Sequence, residues 1–409
     1  MKLGSLAFRN IFRNFRRSLL SATAIAVASM SIVLLYSLLG GMEQDMKYNL
    51  QTYSTGAIRI RNLEFTKYER LNPMHLTVEN PETLGQTLYK INGVSAISPR
   101  IGFPARIYKG DATFNAMGLG VNFETEGNFQ DLGDAVVQTG RLPREGQNEA
   151  LLGYKLAQEI GVTVGDKLTI LSTTAVRGTN AITLTISGVA VFPFPALNEK
   201  TFYAPLDRVQ YFLKMPNQVQ EILIKTNEAA SASQIAEIMR GWPGMSAELE
   251  IMDWKSIDSS YSMIEMASTV YGIMALFFFL LGSTVILNTT IMIIYERMKE
   301  IGTLGAMGMS GRQLVTLFFL ESLYISIIAS FLGVALGMII TVILQKTGID
   351  LTASMEGVDI DISSVLYPQL SLKSTVLVFF YSVIVASITS LIPSRRVRRI
   401  EPVEALRSV

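Results

Sequence analysis

The sequence predicts a membrane α-helical protein with four transmembrane helices in a 1+3 order and an extracytoplasmic α+β domain of two lobes. Only 17% of its 409 residues are charged and 49% are hydrophobic, whereas a soluble protein usually carries about 25% charge. Four uncharged runs are long enough to cross a bilayer, which needs about 20 apolar residues. Between the first two runs the chain alternates in short segments with turn residues, as a folded aqueous domain does.

These patterns divide the chain into consecutive segments. In order, they are a cytoplasmic interfacial helix (1–17), the first span (18–42), the extracytoplasmic domain (43–265), the second span (266–295), a cytoplasmic coupling segment (296–311), the third span (312–345), an extracytoplasmic loop (346–372), the fourth span (373–394) and a cytoplasmic tail (395–409).

The N-terminal segment predicts a helix that lies on the inner leaflet. Its apolar residues fall on one face and its arginines fall elsewhere; that face is Leu3, Leu6, Ala7, Ile11 and Phe15. A cleaved signal peptide is the alternative. The apolar run continues to Leu39, beyond the 7–15 residues of a signal peptide's apolar region, so we expect the first span to be retained.

Basic residues near the span ends predict the orientation, because Lys and Arg concentrate on the cytoplasmic side. Arg16 and Arg17 precede the first span, Arg312 follows the coupling segment, and Arg395 and Arg396 follow the fourth span. The loop 346–372 is acidic instead. Both termini are therefore expected in the cytoplasm, and the large domain outside it.

The extracytoplasmic domain contains two segments that read as strand, helix and strand, starting at Gly56 and Glu221. Two such units predict a ferredoxin-like lobe from residues 54–114 and 206–252, with a β-rich lobe at 115–205. Within residues 115–205, one loop has an unusual run of aromatic and proline residues, Phe192, Pro193, Phe194 and Pro195. This loop either packs between the lobes or contacts an external partner.

A stalk is predicted where the domain returns to the membrane. Apolar residues recur there at helical spacing; they are Trp254, Ile257, Tyr261 and Ile264. The plain interpretation is a packing stripe against the extension of the first span. A helix that continues unbroken into the second span would also act as a rigid lever.

The sequence excludes several chemistries. It has no cysteine and one histidine, His75, so thiol catalysis, disulfides and a cysteine or histidine metal site are not expected. It has no phosphate-binding G-x-x-x-x-G-K-[ST] motif. Its carboxylates form no convincing catalytic pair. We therefore expect a non-catalytic chain that binds no metal or cofactor, and its net charge of +1 does not suggest nucleic-acid binding.

The segment after the second span combines charges with glycines at three-residue steps, Gly302, Gly305 and Gly308. It predicts either a plain polar turn or a short cytoplasmic helix with a smooth glycine face that another protein can approach. In the third span, Glu321 either reaches the interface or pairs within the bundle. Gly333 and Gly337 form a small-xxx-small face suited to close helix packing.

Several of these stretches resemble one family. The run Glu296–Gly308 followed by Phe319-Leu-Glu321 resembles the signature after the second span of the FtsX-like, MacB-type (type VII) ABC transporter permeases. The tail 393–407, the start Ala7–Ile11, and the run from Gly140-Arg141 through Glu149 to Gly165-Asp166 are similar to further motifs of that family. The matches cover nearly the whole chain, in order.

The resemblance implies a bacterial inner-membrane permease that works as a homo- or heterodimer with a separate cytoplasmic ABC ATPase. That ATPase would bind ATP and Mg²⁺, and closure of the ATPase would be relayed as movement to the external domain. The residues implied in ATPase coupling are Glu296, Arg297, Lys299, Glu300, Ile301, Gly302, Gly305, Gly308, Pro402, Leu406 and Arg407.

Within the family, the length and layout favour the lipoprotein-releasing branch. Its partners would be membrane lipids, a lipoprotein client and a periplasmic carrier. Two alternatives stay open: a regulatory permease that activates an external hydrolase, and an efflux system for antibiotics or peptides. Neighbouring genes would distinguish these branches.

Overall fold

The computed structural model describes residues 3–13, 15–130, 132, 137–192, 195–227, 232–243, 245–296, 298–350 and 365–397. The chain forms two compact units. The helical unit comprises Met1–Gln44, Met266–Leu351 and Val365–Val409, and the α+β unit comprises Asp45–Glu265 and Thr352–Ser364.

The α-helices are α1 (Leu3–Arg13), α2 (Phe15–Asn49), α3 (Pro81–Leu88), α4 (Phe123–Phe129), α5 (Tyr154–Ile160), α6 (Pro195–Lys200), α7 (Leu206–Leu213), α8 (Ala232–Arg240), α9 (Asp258–Glu296), α10 (Met298–Ala306), α11 (Gly311–Thr347) and α12 (Leu372–Val397). A π-helical segment, Leu50–Thr55, follows α2. Two 3₁₀ segments are Phe65–Leu71 and Trp254–Ser256.

The strands are β1 (Ile58–Asn62), β2 (Val78–Glu79), β3 (Val94–Lys109), β4 (Ala112–Val121), β5 (Val137–Gly140), β6 (Glu149–Gly153), β7 (Lys167–Thr173), β8 (Thr179–Ala190), β9 (Thr201–Pro205), β10 (Gln218–Val219), β11 (Glu221–Thr226), β12 (Leu249–Asp253), β13 (Ile349–Asp350) and β14 (Val365–Leu366).

In the part of the chain that the structure describes, four helices are long and apolar enough to cross a membrane. The apolar stretches are Ser18–Thr55, Ile264–Asn288, Gly311–Thr347 and Leu372–Leu391. They match the four predicted spans in number and order. Their first and second members belong to helices longer than the spans predicted at 18–42 and 266–295, because α2 and α9 continue into polar sequence.

Small residues allow close helix contacts in the helical unit. A Cβ atom added to Gly333 of α11 would lie 2.2 Å from the carbonyl oxygen of Ala26 in α2, and one added to Gly337 would lie 3.0 Å from the Val33 Cβ. Any larger residue at Gly333 would therefore meet backbone, which cannot rotate away. The predicted small-xxx-small residues lie at the α2–α11 contact.

Helix α1 packs against α11 through part of its apolar face. Ala7 and Ile11 are buried, and the ring of Phe8 lies 6.0 Å from that of Tyr324. Phe15, predicted on the same apolar face, instead begins α2 and is 57% exposed. The apolar face predicted to lie on the inner leaflet is thus divided between α1 and the start of α2, and its contact with the leaflet stays a prediction.

The predicted stalk helix begins later than expected. Trp254–Ser256 is a 3₁₀ turn because the Asp253 carboxylate accepts a hydrogen bond from the backbone N–H of Ser256 (3.1 Å). Ile257 is extended, and α9 begins at Asp258. Trp254 and Ile257 thus precede the helix, and the prediction of one unbroken helix through all four stalk residues is wrong.

The α+β unit contains a ten-stranded sheet. At one end the strand order β12-β1-β11-β3 is antiparallel throughout. Helix α3 connects β1 to β3, and α8 connects β11 to β12. This is the split β-α-β order of a ferredoxin-like layer, as the sequence predicts.

Beyond β3 the sheet closes on itself. β3 pairs with β4, β4 with β9, β9 with β6, β6 with β8, β8 with β7, and β7 pairs back to β3. The 16-residue strand β3 therefore belongs to both parts of the sheet. The division into two lobes stays a prediction, and its predicted boundary at residue 114 falls inside the closed part.

Glycines on β4 make room inside this closed part. A Cβ atom added to Gly118 would lie 2.2 Å from the ring of Phe103, and one added to Gly120 would lie 2.8 Å from Val209. Phe103 packs edge-to-face on Phe202 in the main hydrophobic core. These glycines therefore have a packing role.

We expect Gly333→Val to lower the stability of the helical unit by about 1–3 kcal/mol, because the extra atoms overpack the contact with Ala26. The measurement is the thermal midpoint of the full chain in detergent. Gly272→Val is the matched control, since a Cβ atom at Gly272 would meet nothing within 4 Å. Equal midpoints for the two variants would contradict the packing assignment.

Candidate functional site

The coupling segment forms helix α10 with a defined end. The backbone N–H of Met309 donates to the carbonyl of Leu304 (3.2 Å), and that of Gly308 donates to Gly305 (3.0 Å). Gly308 has φ +94°. Together these features form a Schellman motif, whose left-handed position favours glycine. Leu304 and Met309 also contact the same small cluster around Leu314 and Phe318.

The glycines of this segment therefore have different environments. Gly302 is buried, Gly305 is half-buried, and Gly308 is exposed at the turn. The prediction that all three share one smooth face is wrong for Gly308, which ends the helix. A large apolar residue at this end, Met307, is 74% exposed and was not predicted from the sequence.

A capping box starts the next helix. The Ser310 hydroxyl accepts from the backbone N–H of Gln313, and the Gln313 side chain accepts from the backbone N–H of Ser310. Such reciprocal bonds fix where a helix begins. Hydrogen bonds thus fix both the end of α10 and the start of α11, and a short turn joins the two helices.

The other predicted coupling residues are placed only in part. Glu296 ends α9, and α10 contains Lys299, Glu300 and Ile301. The remaining predicted residues lie outside the described part of the chain; they are Arg297, Pro402, Leu406 and Arg407. The docking role of this set stays a prediction.

Glu321 lies in α11 and is 2% exposed. Its burial agrees with the alternative in which the carboxylate interacts within the bundle, and it disagrees with a side chain that reaches solvent. Its interaction partner stays a prediction.

An apolar groove lies between α2 and α9. Its volume is about 490 Å³, and its wall includes Val27, Leu281 and Val285. Gly282 allows the two helices to approach, because a Cβ atom there would lie 2.7 Å from the Ile32 side chain. The groove residues are uncharged, so it suits a hydrocarbon chain better than a polar ligand.

In the α+β unit, residues of the motif that begins at Gly140-Arg141 form hydrogen bonds that hold the local structure. Arg141 donates to both carboxylate oxygens of Glu149 (2.7 and 2.6 Å), and Glu149 also accepts from the backbone N–H of Arg144 (2.9 Å). The hydrogen bond from Arg141 lowers the pKa of Glu149. Gly140 has φ +84°, and a Cβ atom added there would lie 2.3 Å from the carbonyl oxygen of Ser187.

The first residue of the aromatic-proline loop, Phe192, is buried rather than exposed. Phe192 is 2% exposed and stacks on Tyr203 with a centroid distance of 5.1 Å. The Asn198 side chain holds the backbone of Phe192 with two 2.8 Å hydrogen bonds. The prediction of a partner contact is therefore wrong for Phe192, because the core of the unit binds its ring. Pro193 and Phe194 lie outside the described residues, and Pro195 begins α6.

The remaining stalk residues all belong to the α+β unit, which extends to Glu265. Ile257 is buried in the α+β unit. Ile264 is also buried and lies at the start of the apolar stretch Ile264–Asn288. Tyr261 precedes this stretch in the same helix, α9. The packing of this stripe against Leu38, Leu39, Met42 and Met46 stays a prediction.

Charged residues that sequence reasoning missed lie in the interior of the α+β unit. Arg100 on β3 and Glu126 on α4 form a salt bridge of 2.6 Å, and they are 2% and 0% exposed. Among the described residues, no cluster of three or more His, Cys, Asp or Glu side chains is arranged to hold a metal ion.

Two domain families match the chain. The MacB-like periplasmic core domain matches residues 18–241, and the FtsX-like permease C-terminal domain matches residues 272–402. This chain belongs to the MacB-type ABC transporter permeases. The four apolar helices and the α+β unit are the membrane part and the extracytoplasmic domain of such a permease.

Known MacB-type permeases are similar over most of the chain. The lipoprotein-releasing system transmembrane protein LolC of Haemophilus influenzae is 22% identical over 95% of this chain and 92% of its own length. LolC of Xylella fastidiosa is 24% identical over 64% of this chain and 66% of its own length. The macrolide export ATP-binding/permease protein MacB of Bdellovibrio bacteriovorus is 20% identical over 98% of this chain and 60% of its own length.

Among solved structures, the periplasmic region of MacB from Actinobacillus actinomycetemcomitans is 16% identical. The similarity covers 52% of this chain and 96% of that one, with a TM-score of 0.35.

The Arg141–Glu149 pair should make the domain's stability depend on pH. A carboxylate whose pKa is lowered on folding stabilises the fold above its unfolded pKa of about 4.3, and this contribution is lost as the pH falls through the folded pKa. The difference in thermal midpoint between the native chain and Glu149→Gln should thus be constant at neutral pH and shrink in acid. In an Arg141→Gln background this difference should be smaller at neutral pH, because only Arg144 then still lowers the pKa of Glu149. A difference that grows in acid would contradict the sign.

Proposed function

We propose that this MacB-type permease couples ATP hydrolysis by a separate cytoplasmic ATPase to the release of a lipid-anchored protein or amphiphile from the outer leaflet of the inner membrane. The observation that carries the proposal is the uncharged groove between α2 and α9. A client held by an acyl chain needs an apolar site at membrane depth, since about 0.8 kcal/mol is lost for each CH₂ group exposed to water.

The proposed topology follows the distribution of charge. Arginines precede α2 and follow the fourth apolar stretch, which favours cytoplasmic termini and a 1+3 arrangement with the α+β unit outside. The groove would then lie within the bilayer. The coupling segment, α10, would lie on the cytoplasmic face.

The proposed partners are a cytoplasmic ABC ATPase and a second permease subunit, identical or similar to this one. Several features support a docking surface at α10. Its end is fixed by the Schellman motif at Gly308 and the capping box at Ser310, so a push on α10 would be transmitted directly to α11. Met307 offers an apolar contact at that end. ATP and Mg²⁺ would be bound by the ATPase.

The relatives support this function to different degrees. The LolC proteins are described as lipoprotein-releasing, and the MacB protein as a macrolide exporter. The test is reconstitution of the full chain with its ATPase in proteoliposomes. ATP-dependent release of a triacylated test protein would support the proposal, whereas ATP-dependent transport of a macrolide without release would replace it with efflux.

We expect Val285→Trp to reduce ATP-dependent release, because the indole would fill the groove that an acyl chain needs. Leu280→Trp is the matched control: Leu280 is in the same helix and 59% exposed, but it does not line the groove. The measurement is the amount of lipid-modified protein released per ATP hydrolysed. Equal loss in both variants would show a general effect on α9 and would contradict the groove as the client site.

We expect Met307→Asp to weaken binding of the ATPase, because a charge at this end of α10 would have to be desolvated in an apolar contact. The measurement is the amount of ATPase that copurifies with the permease in detergent. Tyr211→Asp is the control, since Tyr211 is 79% exposed but belongs to the α+β unit. Undiminished copurification for Met307→Asp would exclude this surface.

A further inference from the structure

The long helix α2 passes into a wider turn before the chain enters the sheet. Residues Leu50–Thr55 form a π-helix, and four of them are buried: Leu50, Thr52, Tyr53 and Thr55. The segment ends at Gly56, with φ +68°. Such π-helical turns are uncommon and frequently occur at functional sites. The last carbonyl groups of a helix have no partners within it and must find them elsewhere.

Arg100 supplies partners for two of these carbonyl groups. Its Nη1 atom donates to the carbonyl oxygen of Tyr53 (3.0 Å), and its Nη2 atom donates to that of Thr52 (3.3 Å). A positive charge at the C-terminal end of a helix is also favoured by the helix dipole. A guanidinium can make these bonds together because its five donors have a fixed planar geometry.

The same guanidinium is neutralised from the other side. Its Nη2 atom lies 2.6 Å from the Glu126 carboxylate, and its Nε atom donates to the Ser98 hydroxyl (3.0 Å). Ser98 and Gln130 both donate to Glu126. All three guanidinium nitrogens of Arg100 and both carboxylate oxygens of Glu126 are therefore hydrogen-bonded. A buried ion pair is tolerated under this condition.

The cluster extends into the closed part of the sheet. The Tyr203 hydroxyl donates to the Gln130 side chain (3.2 Å), and the ring of Tyr203 stacks on Phe192. Burial raises the pKa of the Tyr203 hydroxyl well above its usual range, so it keeps its proton and remains a donor at any physiological pH. The Arg100 guanidinium also lies 5.1 Å from the ring of Phe129.

Arg100 lies at the junction of the sheet. On β3 it is paired with Glu221 of β11 on one side and with Val121 of β4 on the other. It thus connects the end of the helical segment to the strand shared by both parts of the sheet. The ring of Tyr53 also packs in one apolar cluster with Val121 and Tyr203 of the sheet, and just after the segment the backbone N–H of Ala57 donates to the carbonyl of Ile224 (2.9 Å).

We propose that Arg100 is a positioning residue that fixes the end of the α2 extension to strand β3, so that displacement of α2 moves the sheet as one body. This inference rests on the proposed function for its role in transport. The attachment itself is a property of the domain and can be tested without a substrate.

The first variant is designed to remove the attachment of the π-helical segment to β3 without leaving an unpaired buried charge that would itself destabilise the domain. Arg100→Met combined with Glu126→Leu removes both buried charges and keeps apolar volume, a replacement that is often neutral for stability. The carbonyl groups of Thr52 and Tyr53 then lose their donors. Arg100→Lys is the second variant: it keeps the charge beside Glu126, but one ammonium group cannot reproduce the planar fork. Arg141→Lys is the control, because it makes the same change in another Arg–Glu pair, Arg141 with Glu149.

The structural readout is a distance distribution from pulsed electron paramagnetic resonance. The chain has no cysteine, so Tyr48→Cys and Asp111→Cys would carry the only spin labels; both residues are exposed, and Asp111 lies beyond the far end of β3. We expect one narrow distribution in the native chain and in Arg141→Lys. Broader or shifted distributions are expected in the double variant and in Arg100→Lys. A native-like distribution in a folded double variant would overturn the proposal, and if that variant does not fold, a native-like distribution in Arg100→Lys would do so.

The functional readout uses the same chains in proteoliposomes with the ATPase. We expect both Arg100 variants to hydrolyse ATP at the native rate while release falls to the level without ATP, and Arg141→Lys to retain both activities. Native release per ATP in both Arg100 variants would overturn the role in transmission. Absence of ATP-dependent release in the native chain would overturn the proposed function instead, and the distance distributions would still decide the attachment.

Discussion

The buried ion pair of Arg100 and Glu126 is the constraint on which the α+β unit depends. Removing two charges from water costs several kcal/mol per ion, and the structure offsets this by hydrogen-bonding the pair to Ser98, Gln130 and two backbone carbonyl groups. The pair thereby fixes three elements together: the π-helical end of the α2 extension, strand β3 and helix α4. Any of these placed differently would leave a buried charge without a partner, so the pair specifies their arrangement.

The helical unit is specified by a different kind of interaction. Helices in a membrane gain little from hydrophobic burial, and their association depends on close packing of small residues. Gly333 brings α11 against the backbone of Ala26, whereas Gly282 brings α9 to Ile32. Between α2 and α9 the packing is looser and leaves the apolar groove. The proposed client site and the tight contact with α11 thus use two different faces of the same helix, α2.

Much of the architecture could be predicted because it depends on local patterns. Apolar length predicted four spans, and two strand-helix-strand segments predicted the ferredoxin-like order of β12, β1, β11 and β3. Local patterns failed where a neighbour decides the outcome. Phe192 looks like a loop residue, but the ring of Tyr203 lies beneath it. Gly308 fits a three-residue glycine repeat, yet its left-handed conformation ends a helix. The stalk periodicity at Trp254 and Ile257 continues that of α9, but the Asp253 carboxylate caps a separate turn first.

The sequence by itself determined that this protein belongs in a membrane, how often it can cross, and which family motifs it carries, because hydropathy and charge act along the chain and need no partners. Only the tertiary structure decided what those motifs do. Arg141 and Glu149 are eight residues apart in the same loop and form a local clip, whereas Arg100 meets carbonyl groups nearly fifty residues away. The sole trace of that second contact in the sequence is the pair of polar residues Ser98 and Arg100 on one face of a strand. A strand pattern shows which face a residue occupies, but only the fold brings the end of the α2 extension to that face.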